Sequence, residues 1–208
     1  LLKQLTKGEW VVTGVNGFDA KGENLFLTST QPHVLSSFSY GTPMNVNGWK
    51  LNLKKGDTQL LTWSAGLESV HTLSVSPSGK YAIDSYEAPK IPRNIDIVQT
   101  KDGKVLENLL TAKNPYEGYA MPEIEAGILK AADGTTDLHY RLVKPVGLDE
   151  NKKYPTIVYV YGGPHSQLVT GGWLNGVRGW DIYMAGCGYV VYTIDNRGTS
   201  NRGFAFER

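Results

Sequence analysis

Two short motifs hold the residue types that could do chemistry. One apolar run closes on Tyr159-Val160-Tyr161-Gly162-Gly163-Pro164-His165, and a second closes on Asp195-Asn196-Arg197-Gly198. A guanidinium on a glycine-rich turn can pair with a carboxylate, and the phenol and imidazole beside it are hydrogen-bonding groups. By themselves, the glycines and proline read equally well as a tight exit turn. Arg197 and Arg202 fit either a solvated loop or a brace on a carboxylate, since an arginine fork serves both settings. His165 adjoins the first motif, where it could touch a substrate or orient Tyr161. His33, His71 and His139 read as surface or core histidines with no serine and aspartate arranged about them. Cys187, the one cysteine, has no partner for a disulfide or a metal and reads as a small core residue. No His, Cys, Asp or Glu grouping has metal-ligand spacing, so neither a metal nor another cofactor is implied.

The elements that must position these motifs change character along the chain. From Trp10 to about Leu110, short alternating apolar runs are separated by turns such as Lys55-Gly56-Asp57, Pro77-Ser78-Gly79-Lys80 and Lys101-Asp102-Gly103-Lys104, which predicts an all-β half. Strands are expected at Trp10 to Val15, Asn24 to Thr30, Met44 to Asn52, Gln59 to Trp63, Thr72 to Val75, Tyr81 to Tyr86, Asn94 to Gln99 and Val105 to Asn108. They fall into two groups of four, the content of two β-propeller blades. A closed ring needs roughly four to eight blades, so further ones are expected upstream.

Residues 111 to 122 have linker composition, with Pro115, Gly118 and Pro122. After them, Glu123 to Lys130 and Leu138 to Lys144 predict a hairpin turned at Asp133-Gly134. Thr156 to Tyr161 and Gly188 to Ile194 predict buried strands. Between these, Trp173 to Cys187 sets Trp180, Tyr183, Met184 and Cys187 at helical spacing. Strand, helix and strand make a βαβ unit of a parallel sheet, and such sheets bind ligands beyond the carboxyl ends of their strands. Both motifs lie there.

Composition excludes several classes. The 208 residues carry 21 Lys and Arg against 20 Asp and Glu, with 40% hydrophobic residues. Neither a disordered tail nor the electrostatic footprint of a nucleic-acid-binding protein is present. No run of about 18 apolar residues could form a spanning helix. The Leu1-Leu2-Lys3 start, without Met or a signal peptide, suggests a piece of a longer protein.

The residues across both motifs resemble the dipeptidyl peptidase IV family of prolyl serine peptidases. Lys153-Tyr154-Pro155, Val160-Tyr161-Gly162-Gly163-Pro164, Ser166-Gln167, Trp180-Asp181-Ile182-Tyr183-Met184-Ala185, Gly188-Tyr189, the run Asp195 to Gly203, and Phe206-Glu207 carry the likeness. Leu5-Thr6-Lys7-Gly8-Glu9-Trp10-Val11-Val12 resembles the segment opening a late propeller blade. The resemblance implies incomplete β-propeller blades over residues 1–118, followed over 119–208 by the N-terminal part of an α/β-hydrolase catalytic domain. It implies that Tyr161 donates its hydroxyl to the oxyanion hole, and that the parent is a serine exopeptidase releasing N-terminal di- or tripeptides after proline. Peptides with proline near the N-terminus are then the partners, nucleic acid is not, and a homodimeric parent stays open. Bacterial members imply the periplasm or cell envelope.

An α/β-hydrolase carries its nucleophile in a G-x-S-x-G turn between strand and helix, and the sequence has none. Ser37-Phe38-Ser39-Tyr40-Gly41 and Thr62-Trp63-Ser64-Ala65-Gly66 each lack the first glycine and fall in the all-β half, so neither Ser39 nor Ser64 is expected to be the nucleophile. The chain is therefore expected to be inactive alone. Glu68, Glu87 and Glu107 are not expected to match the paired glutamates with which the family holds a substrate's amino terminus. The alternatives are a β-propeller interaction module without catalysis, and part of an oligopeptidase or acylaminoacyl peptidase.

Overall fold

A computed structural model describes residues 3–33 and 43–207. Two compact units result. One holds the chain through Lys113 together with Gly171–Trp173 and Asn201–Gly203; the other holds Asn114–Thr170, Leu174–Ser200 and the chain from Phe204 onward.

The first unit is built from β1 (Val12–Phe18), β2 (Asn24–Ser29), β3 (Asn47–Asn52) and β4 (Thr58–Leu60), then β5 (Val70–Val75), β6 (Tyr81–Ala88), β7 (Ile91–Gln99) and β8 (Val105–Thr111). Each set of four forms an antiparallel sheet with strands in sequence order, the meander of a propeller blade. Strand ends differ from expectation where side chains or glycines intervene. β1 runs on to Phe18 through register shifts flanking Gly14 and Gly17. β4 stops at Leu60 because the Thr62 hydroxyl, not a backbone carbonyl, accepts the Gly48 N–H, at 3.0 Å.

Period-two alternation decides the packing. In Leu25-Phe26-Leu27 the two leucines join Trp49, Leu51 and Leu60 on one face of the first sheet. Phe26 points the other way, into a cluster with Leu61, Leu73, Ala82 and Val98 drawn from both sheets. In β6 the same alternation buries Ala82, Asp84, Tyr86 and Ala88 and leaves Tyr81 and Ile83 exposed.

That buried face carries polar groups, and His71 departs from expectation there. Its Nε2 lies 2.9 Å from Ser69 Oγ and its Nδ1 2.9 Å from Asp84 Oδ1, with Tyr86 stacked on the ring. Serine, histidine and aspartate are thus in line, an arrangement the sequence reading did not expect around His71. The missed signal is the pairing register, which sets Leu73 opposite Asp84 and so brings His71 diagonally within reach of the carboxylate. The trio is not poised for catalysis. Ser69 and Asp84 are 0% exposed and His71 2%. Ser69 Oγ is also 2.7 Å from the Gly66 carbonyl oxygen, which can only accept. That oxygen takes the one hydroxyl hydrogen, so the serine is a buried, engaged donor and not a poised nucleophile.

The second unit is one mixed sheet. β9 (Ile124–Lys130) and β10 (Asp137–Val143) form the expected hairpin; β10 pairs antiparallel with β12 (Val190–Ile194), and β12 pairs parallel with β11 (Thr156–Tyr159). Between the parallel strands, the expected single helix is replaced by a 3-10 turn at Trp173–Gly176 and an eight-residue helix α1 (Gly179–Gly186). The break comes at Leu174 and Asn175, whose φ angles of 51° and 54° are left-handed. A short α2 (Phe204–Glu207) follows.

The buried face of α1 is also not the expected one. Asp181 and Ala185, four residues apart, face inward, and Ala185 packs with Val143 and Val191. Trp180 and Tyr183 are exposed. Cys187 is exposed too, not a core residue. At 3.6 residues per turn, position 187 lies some 200° around the axis from Ala185.

Removing His71 should leave the Asp84 carboxylate buried and unpaired. His71→Ala is expected to cost about 3–5 kcal/mol of stability in urea denaturation, and Ser69→Ala about 1 kcal/mol. A fluorophosphonate probe is expected to leave Ser69 unlabelled in the folded protein.

Candidate oxyanion site

β11 and β12 are in register from Thr156 opposite Val190 to Tyr159 opposite Thr193. Being parallel, they release their loops at one edge of the sheet, so Tyr161 and Asp195 leave from neighbouring points. Tyr161 is 58% exposed. Its ring lies against Gly163, where an added Cβ would stand 3.0 Å from Tyr161 Cε1, so a side chain there would push the phenol aside.

The rest of the loop is fastened. His165, at φ 62°, donates its N–H to the Gly198 carbonyl at 2.8 Å. Gly198, at φ 94°, brings its backbone so close that a Cβ would meet Pro164 Cα at 3.3 Å. The His165 side chain turns outward, with Nδ1 3.2 Å from Glu207 Oε2. The outcome is an exposed phenol on a loop whose backbone is tied at His165 to the end of the neighbouring strand.

Three residues do much of this fastening: Asp195, which opens the second motif, and Arg141 and Asp181, to which sequence reasoning gave no role. The buried Asp195 carboxylate accepts the N–H of Leu168 at 2.8 Å and of Val169 at 3.1 Å. Arg141, 2% exposed, donates from Nη1 to the carbonyls of Leu168 (2.8 Å) and Asn175 (2.7 Å) and from Nη2 to Thr193 Oγ1 (3.3 Å). Asp181 Oδ2 lies 3.6 Å from Arg141 Nη2 and also accepts the Arg178 N–H at 2.9 Å, which ties it to the start of α1. Burial draws the Arg141 guanidinium below its usual range, while the Asp181 and Asp195 carboxylates oppose the shift. The signal was present in the alternation of β10, where Arg141 shares the inward face with His139 and Val143. A charge at an inward position calls for partners.

Arg197, read either as a loop residue or as a brace, pairs with Asp133 Oδ2 in the β9–β10 turn and with Thr136 Oγ1 at 2.5 Å. Arg202 is half-buried in the turn before α2. The remaining candidates lie elsewhere. Ser64 is exposed and bonded to Asp96 Oδ2 at 2.9 Å, whereas Ser39 and its motif lie outside the described residues. His33 stacks on Trp49 and meets Trp63 edge-on, and His139 is buried in β10. Glu68 and Glu107 are exposed, and Glu87 is half-buried in β6. Among the described residues, no three His, Cys, Asp or Glu side chains are placed to hold a metal ion.

Comparison with known proteins gives this geometry a context. Residues 1–93 match the family described as the dipeptidyl peptidase IV (DPP IV) N-terminal region. Dipeptidyl peptidase 4 of Trichophyton equinum is 29% identical over 207 residues, and that of Trichophyton rubrum 29% over 209. In each case the match covers 97% of this chain and 25% of the relative, so the chain spans about a quarter of their length. Among solved structures, a candidate dipeptidyl aminopeptidase IV from Bacteroides ovatus superposes with a TM-score of 0.86 at 51% identity. Porphyromonas gingivalis dipeptidyl peptidase 4 does so with 0.85 at 26%. Both cover 99% of this chain and 27% of the neighbour.

The turn that Arg197 engages has its own pH signature. The Thr136 hydroxyl, then the backbone N–H groups of Thr136 and Thr135, and last the charge of Arg197 hold the Asp133 carboxyl well below the usual carboxylate range. A depressed folded pKa gives a contribution that is full above the ordinary aspartate value and lost only as pH falls through the folded one. In a carboxyl-carbon NMR titration, Asp133 is expected to stay ionised through the region near pH 3.9 where an ordinary aspartate takes up its proton. Thr136→Ala, which removes the largest cause, is expected to move the transition upward.

Proposed function

Because this chain belongs to the dipeptidyl peptidase IV family, we propose that its parent protein is a serine exopeptidase that removes di- or tripeptides ending in proline from the amino termini of peptides. In this reading Tyr161 is an oxyanion-hole donor, and the chain from about residue 119 begins an α/β-hydrolase domain. The periplasm or cell envelope is its proposed location.

One observation carries the reading. Tyr161 stands exposed beyond the carboxyl end of a strand paired in parallel, on a loop tied to the end of the neighbouring strand. When a nucleophile adds to a peptide carbonyl, its oxygen becomes negative and moves out of plane. A phenol already in place needs no reorganisation to meet it, and a donor of this kind is worth about 3–4 kcal/mol in the transition state. The parallel pair with a helix between its strands supports an α/β-hydrolase beginning, since such sheets carry helices on their faces.

The nucleophile, acid and base are proposed to lie outside these 208 residues. The sequence has no G-x-S-x-G turn, the Ser64 hydroxyl serves Asp96, and Ser69 is buried. Purified alone, the chain is expected to turn over neither Gly-Pro nor Ala-Pro chromogenic substrates. Turnover that disappears in Ser64→Ala would overturn this.

In the full-length enzyme, Tyr161→Phe is expected to lower kcat by about a hundredfold or more with KM nearly unchanged, since an interaction made only in the transition state is lost from kcat. The melting temperature should hold, because the ring is kept. Normal kcat with reduced stability would instead make Tyr161 a packing residue.

A further inference from the structure

We propose that Arg141 is the positioning residue of the Tyr161 loop, an assignment that rests on the oxyanion role of Tyr161. The Leu168 peptide group is gripped from both sides: its carbonyl by Arg141 Nη1 at 2.8 Å and its N–H by Asp195 Oδ1 at 2.8 Å. Arg141 Nη1 also holds the Asn175 carbonyl at 2.7 Å, so a single nitrogen fixes the two ends of the excursion between Leu168 and Asn175. Closer to the phenol, the segment that Asp195 opens supplies the Gly198 carbonyl to His165 N–H. The loop is thereby tied at residues 165, 168 and 169 to the end of β12, and at 168 and 175 to β10 through Arg141. Tyr161 projects from the part of the loop that these ties leave exposed.

The charges explain why an arginine is needed. Asp181 and Asp195 are 3% and 4% exposed, and Arg141 is the buried cation between them. A neutral residue would remove the cation whose charge the Asp181 and Asp195 carboxylates meet in this buried site. A lysine would keep the charge but not the fork. Its compact ammonium cannot reproduce planar donation to two carbonyls from one arm and to Thr193 from the other, with Asp181 3.6 Å from that second arm. Arg141→Lys therefore separates geometry from charge.

The test is a double-mutant cycle in the full-length enzyme with Arg141→Lys, Tyr161→Phe and the pair, reading kcat, KM and melting temperature on an Ala-Pro chromogenic substrate. Arg141→Lys is expected to lower kcat about tenfold or more with little change in KM, because a misplaced donor loses transition-state contact. In the Tyr161→Phe background the same substitution should lower kcat little further, the non-additivity of residues acting through one another. Should Arg141→Lys fail to fold, Asp195→Asn, which keeps the side chain's size and one acceptor, is run through the same cycle with the same expectation. Losses that multiply fully, or a lowered melting temperature at unchanged kcat, would overturn the positioning role and leave Arg141 as a structural anchor. An unaffected kcat in Tyr161→Phe would instead overturn the oxyanion reading itself, and the positioning role with it.

Discussion

Two neighbouring strands that run the same way cannot be joined by a turn, and the second unit depends on that constraint. The chain leaving β11 must travel back along the sheet before β12 can begin, and α1 provides the return. The same parallelism brings the two carboxyl ends to one edge. Tyr161 and Asp195 are 34 positions apart in sequence, yet their loops can bond because neither strand end has anywhere else to go. The loop excursion, the buried arginine and the exposed phenol are all consequences of filling and fastening that edge.

Buried charge is used twice, with opposite outcomes. In the second blade His71 and Asp84 pair inside a closed sheet interface, where the serine beside them has spent its hydrogen on a carbonyl. In the mixed sheet, Arg141 and its carboxylates are equally dry, but their hydrogen bonds run outward to the backbone of a loop that reaches solvent. Residue types that could do chemistry are found in both places. Access and the direction of the hydrogens distinguish the two places.

The two blades owe their packing to polar as well as apolar contacts. Phe26, Leu61, Leu73, Ala82 and Val98 supply the area between the sheets, while Asp84, Asn94 and Asp96 occupy inward positions of the same face. Asp96 is bonded by Ser64 from the end of the first blade and by Asn108 from β8. Such contacts require one register, because a slip of one residue would turn every one of these groups to the other face.

Alternation in the sequence determined the strands of both blades, and the βαβ pattern the parallel pair that follows them, because period and turn chemistry are local properties of the chain. The Tyr161 motif was legible for the same reason: its glycines, proline and phenol are contiguous. The Ser69, His71 and Asp84 trio, the partners of Arg141, the exposure of Cys187 and the break at Leu174 and Asn175 were decided only by tertiary structure. The two charge clusters depend on which residues the pairing register brings together across the chain, 13 positions for His71 with Asp84 and 54 for Arg141 with Asp195. Local patterning can say that a charged residue points inward; only the folded chain supplies the groups that meet it there.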